Sequence, residues 1–537
     1  MNRVWQKSYP EDTPFEVEIP LMSLYEILDH SARQYPSTKA VIDGERELSY
    51  LELRRKIDCF AGSLNEWGFK KEDRIALMLP NCIEYIIAYY AIHRLGGVVV
   101  QVNPMYKVNE LAYILRDSNA TWLIGNDEQK KKIVQTGLVD RLTIISANKL
   151  QEDSYYSWIA EEENELPELD INPKEDIALL QYTGGTTGRA KGVMLTHFNL
   201  IANVIQDFTY TANALQLQKT GERMLGLTPL FHVFGNGRMN SAVYAGATYI
   251  TLERFEINKV VDLIRKHRPT IFPGVPTMYI ALLHHPDLTA EDLSSLKYCS
   301  CGSAPLPVEV IHQFERKFGV SISEGFGMSE TSPTTHRNPV KGQRKIGSIG
   351  IPYPNTDAKI VDIETGKAEL PYNQAGELII KGPQVMKGYW GNLEETSMAL
   401  REGWLYTGDI ATMDEEGYFF IVGRKKELII ASGYNIYPIE VEEVIYQHPG
   451  VEEACVFGIP DTYRGETVKA IIVLKKGVIA TEQDIIKFCN ERLANYKVPR
   501  VIEFRELMPK SAVGKILRRV LVEEEGKRTN SLRTYRR

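Results

Sequence analysis

No apolar run in this chain approaches the roughly eighteen residues that a membrane-spanning helix needs. Tyr85-Ile-Ile-Ala-Tyr-Tyr-Ala-Ile92 is among the longest and fits a buried helix. The opening, Met1-Asn-Arg-Val-Trp-Gln-Lys, lacks the apolar core and cleavage site of a signal peptide. Cysteine is scarce: six residues, at 59, 82, 299, 301, 455 and 489, and Cys299-x-Cys301 has no second pair at zinc spacing. That argues against a disulfide framework and a structural metal. No strong excess of either charge is present; the net charge of −7 gives no sign of a nucleic-acid partner. Two familiar phosphate signatures are missing as well. Gly188 and Lys191 are separated by Arg189 and Ala190, so there is no Walker loop, and Gly325-Phe-Gly327 is followed at 330 by Glu, so there is no GxGxxG. The expected setting is cytoplasmic.

At 537 residues, 43% apolar and 25% charged, the chain is a globular protein too long for one core, so two or more domains are expected. Strand patterns at Arg74 to Leu79, Gly97 to Val102, Thr121 to Gly125, Thr248 to Thr251 and Thr270 to Phe272 alternate with helical ones such as Asn81 to Leu95 and Asn258 to His267. That alternation predicts an α/β fold with largely parallel sheets. From about Gly347 short strands follow one another between Gly, Pro and Asp turns, a β-rich subdomain ending at Tyr418 to Val422. Past the charged break Gly423-Arg-Lys-Lys-Glu427, helices at Pro438 to Gln447 and Glu482 to Leu493 and strands at Glu453 to Phe457 and Val468 to Leu474 make a small α+β unit. A large domain over 1–423 and a small one over 424–537 are expected. The basic tail, with Arg528, Arg533, Arg536 and Arg537, reads as a solvated end rather than a membrane anchor.

The most informative stretch is Tyr182-Thr-Gly-Gly-Thr-Thr-Gly-Arg-Ala-Lys-Gly-Val193, after a strand at Ile177 to Gln181 and before a helical pattern that resumes past Thr196-His-Phe-Asn199. Glycines let backbone N–H groups turn toward an anion, threonine hydroxyls add donors and Lys191 adds charge, which suits a polyphosphate cradle; an ordinary turn is the plain alternative. Glu324-Gly-Phe-Gly-Met-Ser-Glu330-Thr offers a ring to stack on a base, a hydroxyl for a phosphate and a carboxylate for Mg²⁺. Gly403-Trp-Leu-Tyr-Thr-Gly-Asp409 places a carboxylate after a tight turn, suited to ribose hydroxyls, and Pro509-Lys-Ser-Ala-Val-Gly-Lys515 puts a lysine on a Gly-Lys turn. Singly, these are surface carboxylates and a solvated amine. In this order they form a pattern.

That pattern resembles the acyl-adenylate-forming superfamily, which includes acyl-CoA synthetases, firefly luciferase and nonribosomal-peptide adenylation domains. The resemblance runs from about Leu24 to Arg519. It implies a pyrophosphate loop of Thr183, Gly184, Gly185, Thr186, Thr187, Gly188 and Lys191, and an adenine site of Gly302, Ser303, Ala304, Pro305 and Phe326 with Gly327. It implies Ser329 at the α-phosphate, Glu330 on magnesium, Asp409 on the ribose with Arg424 beside it, Lys426 as hinge and Lys515 as the catalytic lysine. Gly433 is implied to pass the pantetheine arm of CoA, with a simple turn as the alternative. The family has a mobile small domain. Bacterial long-chain fatty-acid–CoA ligases are most similar, through Val4-Trp-x-Lys-x-Tyr-Pro10, the form of the loop from Gln181, Ser432-Gly-Tyr-Asn-Ile-Tyr-Pro438 and Tyr496-Lys-Val-Pro499. The family's usual Ser at 185 and Pro at 190 are Gly and Ala here, and Phe326 and Ser329 replace Tyr and Thr.

The implied reaction is ATP-dependent conversion of a fatty acid to acyl-AMP with release of pyrophosphate, then thioester formation with CoA. Thr228-Pro-Leu-Phe-His232-Val-Phe-Gly-Asn-Gly237 and Gly274-Val-Pro-Thr277 fall where the family lines its acyl cavity. His232 is expected near the carboxylate, with a satisfied interior histidine as the alternative. Amino-acid activation is disfavoured because no Asp stands near His232-Val-Phe and no carrier domain follows Arg537. A ligase for aromatic acids shares every catalytic motif, and a non-catalytic relative is disfavoured by Lys515, Glu330 and Asp409. Contact with the inner membrane face and a homodimer are left open.

Overall fold

The computed structural model describes residues 3–11, 13–147, 166–183, 189–215, 221–431, 434–461, 463–512 and 514–534. Two large sheets carry a big N-terminal domain. In the first, Arg74–Met78, Val98–Gln101, Trp122–Gly125, Thr143–Ser146 and Ile177–Thr183 run parallel, and Lys191–Thr196 and Gly388–Tyr389 extend one edge antiparallel. In the second, Lys39–Asp43, Thr248–Thr251, Arg223–Gly226, Ile271–Gly274, Tyr298–Cys301 and Ile322–Gly327 are parallel, with antiparallel strands at both ends. The alternation in the sequence has the cause inferred from it: strands covered on both faces read as apolar runs, and crossover helices separate them. Helix Ile83–Arg94 shows the extreme, with every residue from Ile83 to His93 buried between the sheets.

Helix starts follow local chemistry. Ser23 and Ser49 accept from the backbone N–H of Glu26 and Glu52, whose carboxylates accept from the serines' own N–H in return. The helix expected from Asn81 begins at Ile83, and the one expected after Asn199 begins at His197. Lys191–Thr196 is a strand rather than the approach to that helix. It pairs antiparallel with Ile177–Thr183, with Thr183 opposite Lys191.

A third, antiparallel sheet holds Asp357–Val361, Gly376–Lys381, Leu400–Arg401, Trp404–Met413 and Phe419–Arg424. The chain's start is pinned here. Trp5 stands edge-on to Phe419 at 6.1 Å, and Gly417, at φ +85°, lies so close to the Trp5 backbone that a Cβ would fall 2.5 Å from it. A buried ionic network braces the large domain. Arg238 Nη1 donates to Asp207 Oδ2 at 2.7 Å, the Tyr353 hydroxyl donates to Asp207 Oδ1 at 2.6 Å, and Arg337 Nε donates to the Tyr353 hydroxyl at 2.6 Å. Burial pushes the Asp207 carboxyl up, but Arg238 and Arg337 outweigh it and hold it below its usual range.

The smaller C-terminal domain builds on Ile429–Ala431, Tyr434–Ile436, Val451–Asp461, Gly465–Leu474 and Val501–Phe504, covered by helices Pro438–Tyr446, Glu482–Asn490 and Arg518–Thr534. It has its own core around Val441, Ile445, Val456, Ile472 and Ile485. All six cysteines are buried, and none is in a disulfide. No described helix is long and apolar enough to cross a membrane.

Candidate active site

Asp409 lies on Trp404–Met413, cross-strand from Arg424, and is only 2% exposed. Arg424 Nε donates to Asp409 Oδ1 at 2.8 Å, while Oδ2 is buried with no hydrogen-bond partner among the described residues. Burial pushes this carboxyl up, and Arg424 and then Lys515 pull against it. An unmet buried acceptor costs about 1–3 kcal/mol, which a ligand hydroxyl can relieve. A second unmet atom is the Ser303 Oγ, on a residue at φ +70°. Beside it Gly302 faces the Phe234 ring, which a Cβ would meet at 3.4 Å. Ala304 is half-buried and Pro305 exposed. Phe326 is half-buried on Ile322–Gly327, its ring edge-on to His336 at 6.1 Å. At Gly327 a Cβ would fall 2.0 Å from the Pro333 carbonyl oxygen, so only glycine fits. An unmet carboxylate and an unmet hydroxyl suit a nucleoside, with hydroxyl donors for Asp409 and a polar base edge for Ser303.

Ser329 opens the single turn Ser329–Thr331 and is half-buried, and Glu330 within that turn is buried. The Glu330 Oε1 accepts from the Tyr389 hydroxyl at 2.8 Å. Among the described residues Glu330 forms no ion pair, and no group of three or more His, Cys, Asp or Glu is placed to hold a metal. A single buried carboxylate with a neutral partner fits Mg²⁺, which takes one or two carboxylates and completes its shell with phosphate oxygens and water. Thr183 and Lys191 face each other across the strand pair, and the Lys191 Nζ lies 2.5 Å from Glu395 Oε2 and 5.1 Å from the Tyr389 ring centre. Gly184, Gly185, Thr186, Thr187 and Gly188 lie outside the described residues, as does Gly433.

Lys515 reaches this cleft from the small domain. Its turn closes on itself through Ser511 N–H to the Lys515 carbonyl at 2.8 Å, and Gly514, at φ +73°, approaches Thr277 so closely that a Cβ would fall 2.4 Å from its Oγ1. The Lys515 side chain is open to water, yet protein encloses it on most sides, the situation of a deep cleft. Loss of hydration and the Arg424 charge lower its pKa, while Asp409 and Glu427 raise it. His232 caps helix Val233–Tyr244, its Nδ1 accepting from Phe234 N–H at 3.2 Å. Burial, and then the charge of Lys515, push it down to about 4. The ring is neutral at pH 7 with its proton on Nε2. His232 is thus a helix cap within reach of the Lys515 charge.

At the domain junction Lys426 is exposed within the single turn Lys425–Glu427. Its neighbours are tied to opposite sides. Lys425 pairs with Glu377 of the third sheet at 2.9 Å, and Glu427 pairs with Arg518 of the C-terminal helix. The structure thus brings Arg424, Lys515 and Glu330 within electrostatic reach of Asp409, and Lys515 within reach of His232. Sequence reasoning missed Tyr389 and Glu395, because a strand of only two residues, Gly388–Tyr389, and a helix of two turns, Leu393–Ala399, give no periodic signal. It also missed the burial of Glu324, which pushes that carboxyl up to about 8.

Residues 28–390 match the family described as AMP-binding enzyme, and residues 440–515 match the family described as AMP-binding enzyme C-terminal domain. The chain is 46% identical to the long-chain-fatty-acid–CoA ligase of Bacillus subtilis (strain 168), over 97% of this chain and 98% of that one. It is 37% identical to the feruloyl-CoA synthase of an Amycolatopsis species, over 91% and 96% respectively. ATP-bound MatB from Rhodopseudomonas palustris superposes with a TM-score of 0.86 at 31% identity, covering 94% of this chain and 99% of that one. With matches on both its domains and a cleft that suits a nucleotide, this chain belongs to the AMP-binding enzyme family.

Proposed function

We propose that this protein is an AMP-forming ligase that joins a fatty acid of medium or long chain to CoA. The observation that carries the reading is Lys515, delivered by one domain into a cleft whose other wall holds Asp409, Arg424 and Glu330. A carboxylate cannot acylate a thiol directly, because its leaving group would be oxide. Attack of the carboxylate oxygen on the α-phosphorus of ATP forms the acyl–phosphate bond and expels pyrophosphate. Both reactants are anions, so the barrier is repulsion and positioning. Lys515 bridges the incoming carboxylate and the α-phosphate. The stretch from Thr183 to Lys191 takes the β- and γ-phosphates, and Ser329 the α-phosphate. Glu330 would hold Mg²⁺, which neutralises charge on the departing pyrophosphate. Asp409 takes the ribose hydroxyls, Arg424 fixes its carboxylate, and Gly302 to Pro305 with Phe326 take adenine.

In the second step the CoA sulfur attacks the acyl carbon and AMP leaves. A Lys515 that bridges the carboxylate in the first step would stand in that approach, so the small domain turns about Lys426 to clear it and brings Gly433 to the pantetheine arm. These roles share domain limits of 1–423 and 424–537. Kinship to the ligase named for long-chain fatty acids exceeds kinship to the feruloyl-CoA synthase, and favours an aliphatic acid over an aromatic one. The buried Val233, Phe234, Gly235 and Gly237 beside His232 agree with an apolar tail. A cytoplasmic location, contact with the inner membrane face where such acids partition, and a homodimer belong to the same proposal. Acid-dependent ATP–pyrophosphate exchange, surveyed over acids of graded length and ring content, tests it: exchange should peak on a saturated chain, and a peak on ring acids would assign the aromatic reading.

A further inference from the structure

Tyr389 touches two functional groups by two different parts of its side chain. Its hydroxyl donates to Glu330 Oε1 at 2.8 Å, and its ring lies 5.1 Å from the Lys191 ammonium. The side chain is 8% exposed, and the backbone fixes it on both sides. Gly388–Tyr389 pairs with the strand that begins at Lys191, and Tyr389 N–H donates to Thr396 Oγ1 at 2.9 Å. The same helix, Leu393–Ala399, carries Glu395, whose Oε2 lies 2.5 Å from Lys191 Nζ. The Glu330 end is tied in as well, since Met386 N–H donates to the Glu330 carbonyl at 2.9 Å. Segment 386–396 therefore bridges the turn that holds Glu330 and the strand that begins at Lys191.

We propose that Tyr389 is a positioning residue that sets the metal-binding carboxylate through its hydroxyl and the phosphate-binding lysine through its ring. A neutral donor suits the first task. It restricts the rotation of Glu330 without cancelling the charge that a dication needs, as a lysine in the same place would. A ring suits the second, because it attracts the ammonium by its π-face yet leaves all three N–H donors available. Glu395 takes one of those donors and holds Lys191 at the start of its strand. The inference rests on Glu330 and Lys191 having the roles proposed above.

Two substitutions separate the two tasks in the full-length protein. Tyr389→Phe keeps the ring and removes the hydroxyl; Tyr389→Leu removes both. ATP affinity is measured by calorimetry in EDTA, and Mn²⁺ affinity in the presence of ATP by electron paramagnetic resonance, with Glu330→Gln alongside. Tyr389→Phe should bind metal-free ATP as the parent does and lose about tenfold in Mn²⁺ affinity. Tyr389→Leu should lose metal-free ATP affinity as well. Metal-free ATP binding by Tyr389→Phe also reports that the variant is folded. Parent-like Mn²⁺ affinity in Tyr389→Phe, beside its loss in Glu330→Gln, overturns the hydroxyl's task alone. Equal ATP affinity in Tyr389→Leu and Tyr389→Phe overturns the ring's task. Parent-like Mn²⁺ affinity in Glu330→Gln overturns the reading of Glu330 and this inference with it.

Discussion

Asp409 and Glu330 sit in the large domain, at 2% and 8% exposure, one braced by an arginine across a strand pair and the other by a tyrosine hydroxyl. Lys515 is their opposite. It is exposed on a small self-closed turn of the other domain, within a protein-lined surround that lowers its pKa, and the Gly514 backbone of that turn lies close against Thr277. The groups proposed to bind nucleotide are thus braced within the large domain, while the group proposed for one chemical step stands on the small one. The difference teaches why the family divides its chain in two. A cation needed for the first step and obstructive in the second belongs on a surface with a shallow hold.

The largest expected break in this comparison is at Lys426. Proline there fixes φ and removes an N–H in the turn between the anchored Lys425 and Glu427. Lys426→Pro should release pyrophosphate at the parent rate and form no CoA thioester, both followed in one coupled assay; an undiminished thioester yield removes Lys426 as the pivot. Next is Gly514→Ala. A methyl at φ +73° that also meets Thr277 is strained in the docked arrangement. It should slow adenylation about tenfold, as about 1–3 kcal/mol of local strain implies. Thr277→Ala in the same chain should restore part of the rate by clearing the space. Without that rescue, the contact does not govern docking.

The smallest effect concerns stability rather than chemistry. Burial pushes His336 down to about 3. Between that value and the roughly 6.5 of a free imidazole the unfolded chain holds a proton that the folded one does not. This linkage makes stability fall as pH falls through that window, and it has no effect above it. His336→Gln should make the acid limb of denaturant midpoint against pH shallower. An unchanged slope would mean that His336 takes its proton while folded.

The parallel sheets and the small α+β domain were legible because covered strands and amphipathic helices leave periodic marks. Ile83–Arg94 and Glu482–Asn490 fall within the spans expected for them. The strand pair at Lys191 was not legible, because Lys191–Thr196 follows glycines and borders a helix, so its extended form comes from pairing with Ile177–Thr183 and not from local preference. Asp409, Glu330 and Lys515 stand out in the sequence only as members of an ordered set of motifs. Their partners do not. Tyr389, Glu395 and Thr277 act through contacts made by distant segments, and nothing beside them in the chain records those contacts.

The most direct test of the division between fixed anions and a movable cation is Lys515→Ala, with the two half-reactions measured apart. Adenylation, followed by pyrophosphate release, should slow by about a hundredfold or more, the weight of one preorganised electrostatic group. Thiolysis of preformed acyl-AMP by CoA should proceed at the parent rate. Equal loss in both halves would contradict the account, since Lys515 would then serve both steps and have no reason to leave.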